Sequence, residues 1–258
     1  MNQINRGKRS VQNMSVDQNV DIRQMKIELT RFMMSYKFAL EEMNTKINIL
    51  KQEFHYIHDY NPIEHVKSRL KTPENILKKA RRKGVELTLP SIKENIRDIA
   101  GVRITCSFIS DIYRLSEMLQ KQKDITLIEC KDYIKNPKPN GYKSLHLIVQ
   151  IPIFMSDRVD NVYVEVQIRT IAMDFWASLE HKIYYKYEKE IPEELKRELK
   201  EAADSVSQLD EKMESIHKKV NQFKECHDLD DELQELLIDD EKIALPQTFI
   251  TQFLKFSD

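Results

Sequence analysis

Apolar residues recur along this chain in two rhythms, and the change from one to the other marks its organisation. From about Leu29 the rhythm is helical. Tyr36, Leu40, Met43, Ile47, Leu50, Phe54 and Ile57 follow steps of three and four, one face of a helix that ends at Asn61-Pro62. Residues 73–83 read as a basic helix opened by Pro73. The centre alternates with period two. Val102, Ile104, Cys106 and Phe108 face one way, and Arg103, Thr105 and Ser107 the other. A helix over 110–122 and a strand over 125–130 follow. Leu145, Leu147 and Val149 then alternate with Ser144, His146 and Gln150. The clearest strand is 162–169, where Val162, Val164, Val166 and Ile168 oppose Tyr163, Glu165, Gln167 and Arg169.

The helical rhythm returns over 170–187. After Pro192 a four-three seam runs through Leu195, Leu199, Ala202, Val206, Leu209, Met213, Ile216, Val220 and Phe223, the pattern that coiled coils bury. The pattern predicts an α+β fold: a mixed central β-sheet flanked by helices, with long N- and C-terminal helices. It divides the chain into a disordered polar segment (1–28), one domain (29–224) and an acidic tail (225–258).

Charge removes some classes of function. Lys and Arg number 41 against 42 Asp and Glu, so the net charge is −1 and bulk electrostatic binding to DNA or membrane is disfavoured. The three cysteines, Cys106, Cys130 and Cys226, form no CxxC pair, which fits a reducing compartment. The polar N-terminal stretch has no signal-peptide pattern, and a cytoplasmic location is expected. The four glycines are Gly7, Gly84, Gly101 and Gly141, too scattered for a phosphate-cradling loop. If the chain handles nucleotides, side chains must hold the phosphates.

Suitable side chains are present. Three strands each present polar or ionisable groups on one face: Arg103 on the first, His146 on the second, and Glu165, Gln167 and Arg169 on the third. The connection 131–143 carries Lys131, Lys135, Lys138 and Lys143 beside Tyr133 and Tyr142, charges for phosphate and rings for a base. Arg69, Lys71, Lys78, Lys79, Arg81, Arg82 and Lys83 form a second basic group. Asp98 and Glu165 are carboxylates that together could hold magnesium. A solvated sheet face and solvated charge runs account for the same residues without chemistry. Metal sites of other kinds have little support: His55 and His58 lack an HExxH context, and Cys226-His227 lacks a partner pair. Trp176 reads as core.

Five segments, NPIEHVKSRLK (61–71), ARRKG (80–84), RDIAGVRITCSF (97–108), KDYIKNPKPNGYKSLHLIV (131–149) and EVQIRTIAMDFWASLEHKIYYK (165–186), resemble the synthetase domain of the RelA/SpoT family in order and spacing. The match is closest to its single-domain branch, the RelP-type small alarmone synthetases. The resemblance implies a nucleotidyltransferase-like fold and stringent-response synthesis of (p)ppGpp from ATP and GDP or GTP, with release of AMP. It implies that Arg69 and Arg103 sandwich adenine while Lys71, Lys79 and Arg82 reach the ATP phosphates. Asp98 and Glu165 would be the catalytic carboxylates and hold Mg²⁺. Tyr142 would stack on guanine, with Lys131, Lys138, Asn140, His146, Gln167 and Asp174 around the guanosine nucleotide. A homotetramer is implied. Hydrolysis is not expected, because the stretch before Pro62 is short for the family's hydrolase domain and His58-Asp59 is an isolated pair. A nucleotidyltransferase, or an RNA-binding scaffold with an inactive site, is the competing reading.

One departure stands out. Members activated by their product hold it with lysines on the first helix and an aromatic residue after the Pro-Ile-Glu turn. Asn44, Asn48 and His65 occupy those positions, so activation by pppGpp is not expected.

Overall fold

The structure is a computed structural model that describes residues 4–58, 60–186, 192–224, 235–238 and 241–244. Its centre is a five-stranded sheet in the order β1-β2-β5-β4-β3, built from β1 (Ile63–Leu70), β2 (Ala100–Cys106), β3 (Thr126–Asp132), β4 (Leu145–Phe154) and β5 (Val159–Thr170). β2 and β5 run parallel, and every other neighbouring pair is antiparallel. The predicted mixed sheet is therefore present.

Strand register sorts the side chains onto two faces. Val66, Ile104, Ile168 and Leu145 align across one row, and Val102, Val166 and Leu147 across another. Helices α1 (Ile4–Ile57) and α4 (Ile109–Lys121) cover this apolar face. On α1, Tyr36, Leu40, Met43, Ile47 and Phe54 are buried as their spacing predicts. Removing this apolar surface from water, at about 25 cal/mol per Å², is what holds sheet and helix together.

Helix α1 begins at Ile4, within the segment 1–28. Its N-terminal part lacks an apolar stripe, but no proline interrupts it, and local bonds such as Gln24 Nε2 to Glu28 Oε1 at 3.1 Å run along its axis.

Two further elements were not read from the sequence. Half of the residues of strand β1 are exposed at the sheet edge, so its face carries little alternation. Helix α3 (Leu89–Asn95) is only seven residues long, capped by Thr88 and opened by Pro90. The basic helix α2 (Pro73–Arg82) is capped by Thr72, whose side chain accepts from the Asn75 amide.

Helices α5 (Ile171–Lys186) and α6 (Glu193–Lys224) follow the sheet. Trp176 and Ala177 of α5 pack with Ala203 of α6, Tyr142 and Val206 in a second small core, as expected of Trp176. Within the tail, β6 (Glu235–Ile238) pairs with β7 (Glu241–Ala244). The rest of the acidic tail, Cys226-His227 and Asp59 lie outside the described residues. No helix among the described residues is long and apolar enough to cross a membrane.

Candidate active site

The second sheet face gathers the polar residues. In one row across the sheet lie Lys67, Arg103, Gln167, His146 and Lys131; in the next lie Arg69, Gly101, Glu165, Ile148 and Glu129. Gly101 keeps the space between Arg69 and Glu165 open, since a larger residue would project onto this face from the middle of the row.

The N-terminal half of the site is an ion cluster. Asp98 Oδ2 accepts from Lys71 Nζ at 2.6 Å and from Lys79 Nζ at 2.5 Å. Lys71 sits just past the end of β1, Lys79 in the last turn of α2, and Asp98 just before β2, so three elements converge here. Burial pushes the Asp98 carboxyl upward, but bonds and charge from the two lysines more than reverse this and hold it below the usual aspartate range. Burial in turn lowers the Lys71 ammonium, with Asp98 acting against that shift. Asp98 Oδ1 is buried with no hydrogen-bond partner. Arg69 and Arg82 are exposed beside this cluster, on β1 and at the end of α2.

The other half is a chain of contacts centred on Glu165. Gln167 Nε2 donates to Glu165 Oε2 at 3.0 Å, and Arg169 donates to Gln167 Oε1 at 3.1 Å. His146 Nδ1 lies 3.6 Å from Glu165 Oε1, and His146 Nε2 lies 2.9 Å from the Tyr142 hydroxyl. Burial raises the Glu165 carboxyl, yet His146 and Gln167 outweigh it, so the group stays below the ordinary glutamate range and ionised at neutral pH.

The loop after β3 brings the aromatic and basic groups. Lys138 Nζ is 4.8 Å from the ring centroids of both Tyr133 and Tyr142. Gly141 has φ 87°, and a Cβ there would meet the Ala203 Cβ at 2.5 Å, so the loop closes on α6 only with glycine at this position. Lys131 pairs with Glu129 at 2.9 Å on β3.

Asn140 stands in the same loop: its amide donates to Glu180 of α5 at 3.0 Å, and its oxygen accepts from the Tyr142 amide at 3.2 Å. Both ends of the side chain shape the loop. Asp174, in the first turn of α5, lies 3.5 Å from Arg103 and 3.5 Å from Arg169, joining the two halves of the site. Alternation puts Arg169 on the polar face, and the family resemblance assigns it no role. Its place in a Glu-x-Gln-x-Arg run on one strand face was the available signal.

Magnesium takes few protein carboxylates and completes its shell with water and phosphate oxygens. The unpartnered Asp98 Oδ1 and the ionised Glu165 on this face fit that requirement. No group of three or more His, Cys, Asp or Glu among the described residues offers an all-protein metal cage.

Known proteins bear the same plan. The family described as "Region found in RelA / SpoT proteins" matches residues 68–190. GTP pyrophosphokinase YwaC of Bacillus subtilis is 52% identical over 81% of this chain and 99% of its own length. GTP pyrophosphokinase YjbM of the same organism is 42% identical over 74% of this chain and 90% of its own. Among solved structures, small alarmone synthetase 1 of B. subtilis bound to its product pppGpp superposes with a TM-score of 0.69 at 42% identity, covering 75% of this chain and 98% of that one. A structure of that protein bound to AMPCPP gives a TM-score of 0.64 at 39% identity, covering 76% and 98%. With this similarity spanning almost the whole of its relatives, the chain belongs to the RelA/SpoT family, in the branch of the small alarmone synthetases.

Proposed function

We propose that this chain transfers a pyrophosphoryl group from ATP to the 3′-hydroxyl of GDP or GTP, giving ppGpp or pppGpp and AMP. The observation that carries this reading is that the Lys71–Asp98–Lys79 cluster, where β1, α2 and the entry to β2 converge, lies beside the sheet face bearing Glu165, itself in contact with His146 of the Tyr142–His146 pair. A phosphate donor and a nucleoside acceptor would meet at Glu165.

In the reaction the acceptor's 3′-oxygen bonds to the β-phosphorus of ATP. The bond from that phosphorus to the oxygen shared with the α-phosphorus breaks, and AMP departs with that oxygen. Such transfers depend on positioning and charge neutralisation. Arg69 and Arg103 flank the adenine, while Lys71, Lys79 and Arg82 meet the triphosphate. Glu165, ionised before the reaction, accepts the proton of the 3′-hydroxyl on its carboxylate, a contribution of about 10²–10⁴-fold for a placed base. The Tyr142 ring stacks on guanine. Lys131 and Lys138 meet the acceptor phosphates, His146 and Gln167 lie toward the ribose, and Asp174 reads the guanine edge. Mg²⁺ on Asp98 and Glu165 would supply charge neutralisation at the phosphates.

The assembly belongs to the same proposal. Leu195, Leu209, Met213, Ile216 and Val220 of α6 are exposed, between 39% and 58% each, along the four-three seam. A homotetramer acting in the cytoplasm, where its nucleotides are, would cover them.

Asp98→Asn and Glu165→Gln test the chemistry. Each should lower alarmone synthesis to under about a hundredth of wild type, with circular dichroism showing the fold retained. A folded variant that keeps more than about a tenth of the activity would remove that residue from its role.

A further inference from the structure

We infer that Arg169 is a positioning residue that aims the Glu165 carboxylate by fixing the amide of Gln167. The inference rests on the proposed transferase reading.

Arg169 is 2% exposed, among the largest fully buried side chains of the molecule. It stands on the polar face of β5 in line with Glu165 and Gln167, at every second position. Arg169 Nη2 donates to Gln167 Oε1 at 3.1 Å, and Gln167 Nε2 donates to Glu165 Oε2 at 3.0 Å. A glutamine amide can present either end to either neighbour. Here one neighbour is a guanidinium, which only donates, and the other an ionised carboxylate, which only accepts. A single orientation satisfies both. Arg169 therefore commits Gln167 to donate toward Glu165, and Glu165 Oε2 is held while Oε1 is left toward His146.

The guanidinium is itself held. Its Nε lies 3.5 Å from Asp174 Oδ1, and its carbon lies 5.9 Å from the Tyr142 ring centroid. Burial of a charge is costly unless partners fix it. Nε nevertheless makes no hydrogen bond, and neither does Asp174 Oδ1. Lysine keeps the charge but not the planar fork that reaches Gln167 and Asp174 together.

The test measures alarmone formation from ATP and GDP. Wild-type turnover comes first, and its absence would refute the transferase reading rather than the role of Arg169. Given wild-type turnover, Arg169→Lys should lower kcat by about tenfold to a hundredfold, the scale of a misplaced catalytic group, with the KM for ATP within about twofold. In a Gln167→Met background, which already lacks the relay, Arg169→Lys should add less than about threefold, because residues acting as a unit are not additive. Unchanged kcat, or the full loss repeated in both backgrounds, would overturn the inference. Gln167→Glu serves if Arg169→Lys does not fold: it leaves Arg169 paired but removes the donor toward Glu165. It should show the same selective loss of kcat, and normal kcat in that variant would overturn the inference as well.

Discussion

Helices α1 and α6 carry the same apolar spacing and stand in opposite surroundings. On α1, Tyr36, Leu40, Met43 and Ile47 are buried against the sheet. On α6, Leu209, Met213, Ile216 and Val220 face outward, while the inner face is largely polar. There Asp210 accepts from Thr170 at 2.6 Å with both groups buried, and His217 stacks on Phe108 at 4.3 Å. Periodicity thus tells that a face needs cover. It does not tell whether the cover is the chain's own sheet or another subunit. The two helices also differ in what they support: α1 closes the core, whereas α6 backs the loop of Gly141 and Tyr142 through Ala203.

The largest effect should come from breaking the α1 side. Met43→Ala should cost about 2–5 kcal/mol in urea denaturation, the range for emptying a buried aliphatic site. A loss below about 1 kcal/mol would mean that α1 is not the cover of this core. The matching change on α6, Leu209→Ser with Met213→Ser and Ile216→Ser, should leave the circular dichroism intact and shift sedimentation to a smaller species. An unchanged assembly would place the seam outside any subunit contact.

Next in size are changes where α6 meets the site. Gly141→Ala forces a side chain into positive φ and against Ala203, so the KM for GDP should rise while that for ATP holds. Tyr142→Ala should weaken the guanosine acceptor by about 1–3 kcal/mol, the contribution of one base stack. Equal losses for ATP would mean that the loop merely supports the sheet.

The smallest expected effect is none. Added pppGpp should leave the initial rate unchanged. Asn44 is already bound to Ser68 at 3.0 Å on β1, Lys46 to Asp124 at 2.6 Å, and Lys51 to the Glu64 carbonyl at 3.1 Å. Each lost charge–phosphate hydrogen bond forgoes about 1.5–3 kcal/mol. Several-fold activation in a rate assay would contradict this.

The sheet and the long helices were legible because burial on one side imposes a period. Strand β1 and helix α3 were not, one being an exposed edge and the other too short for a period to develop. In the site, Asp98 and Glu165 were visible as carboxylates. The lysine pair gripping Asp98 was not, since Lys71 and Lys79 look like members of a solvated basic run until β1, α2 and the β2 entry converge. The tie of Asn140 to Glu180 was hidden for a related reason, since it spans forty residues. The early start of α1 escaped because a helix without an apolar stripe gives no periodic signal.

The central claim is pyrophosphoryl transfer, and labelled ATP tests it most directly. With GDP and magnesium present, phosphorus label in the β-position of ATP should move into the guanosine product, and label in the α-position should appear in AMP. Release of the β-label as free pyrophosphate, with the α-label joined to an acceptor, would contradict the account and make the chain a nucleotidyltransferase.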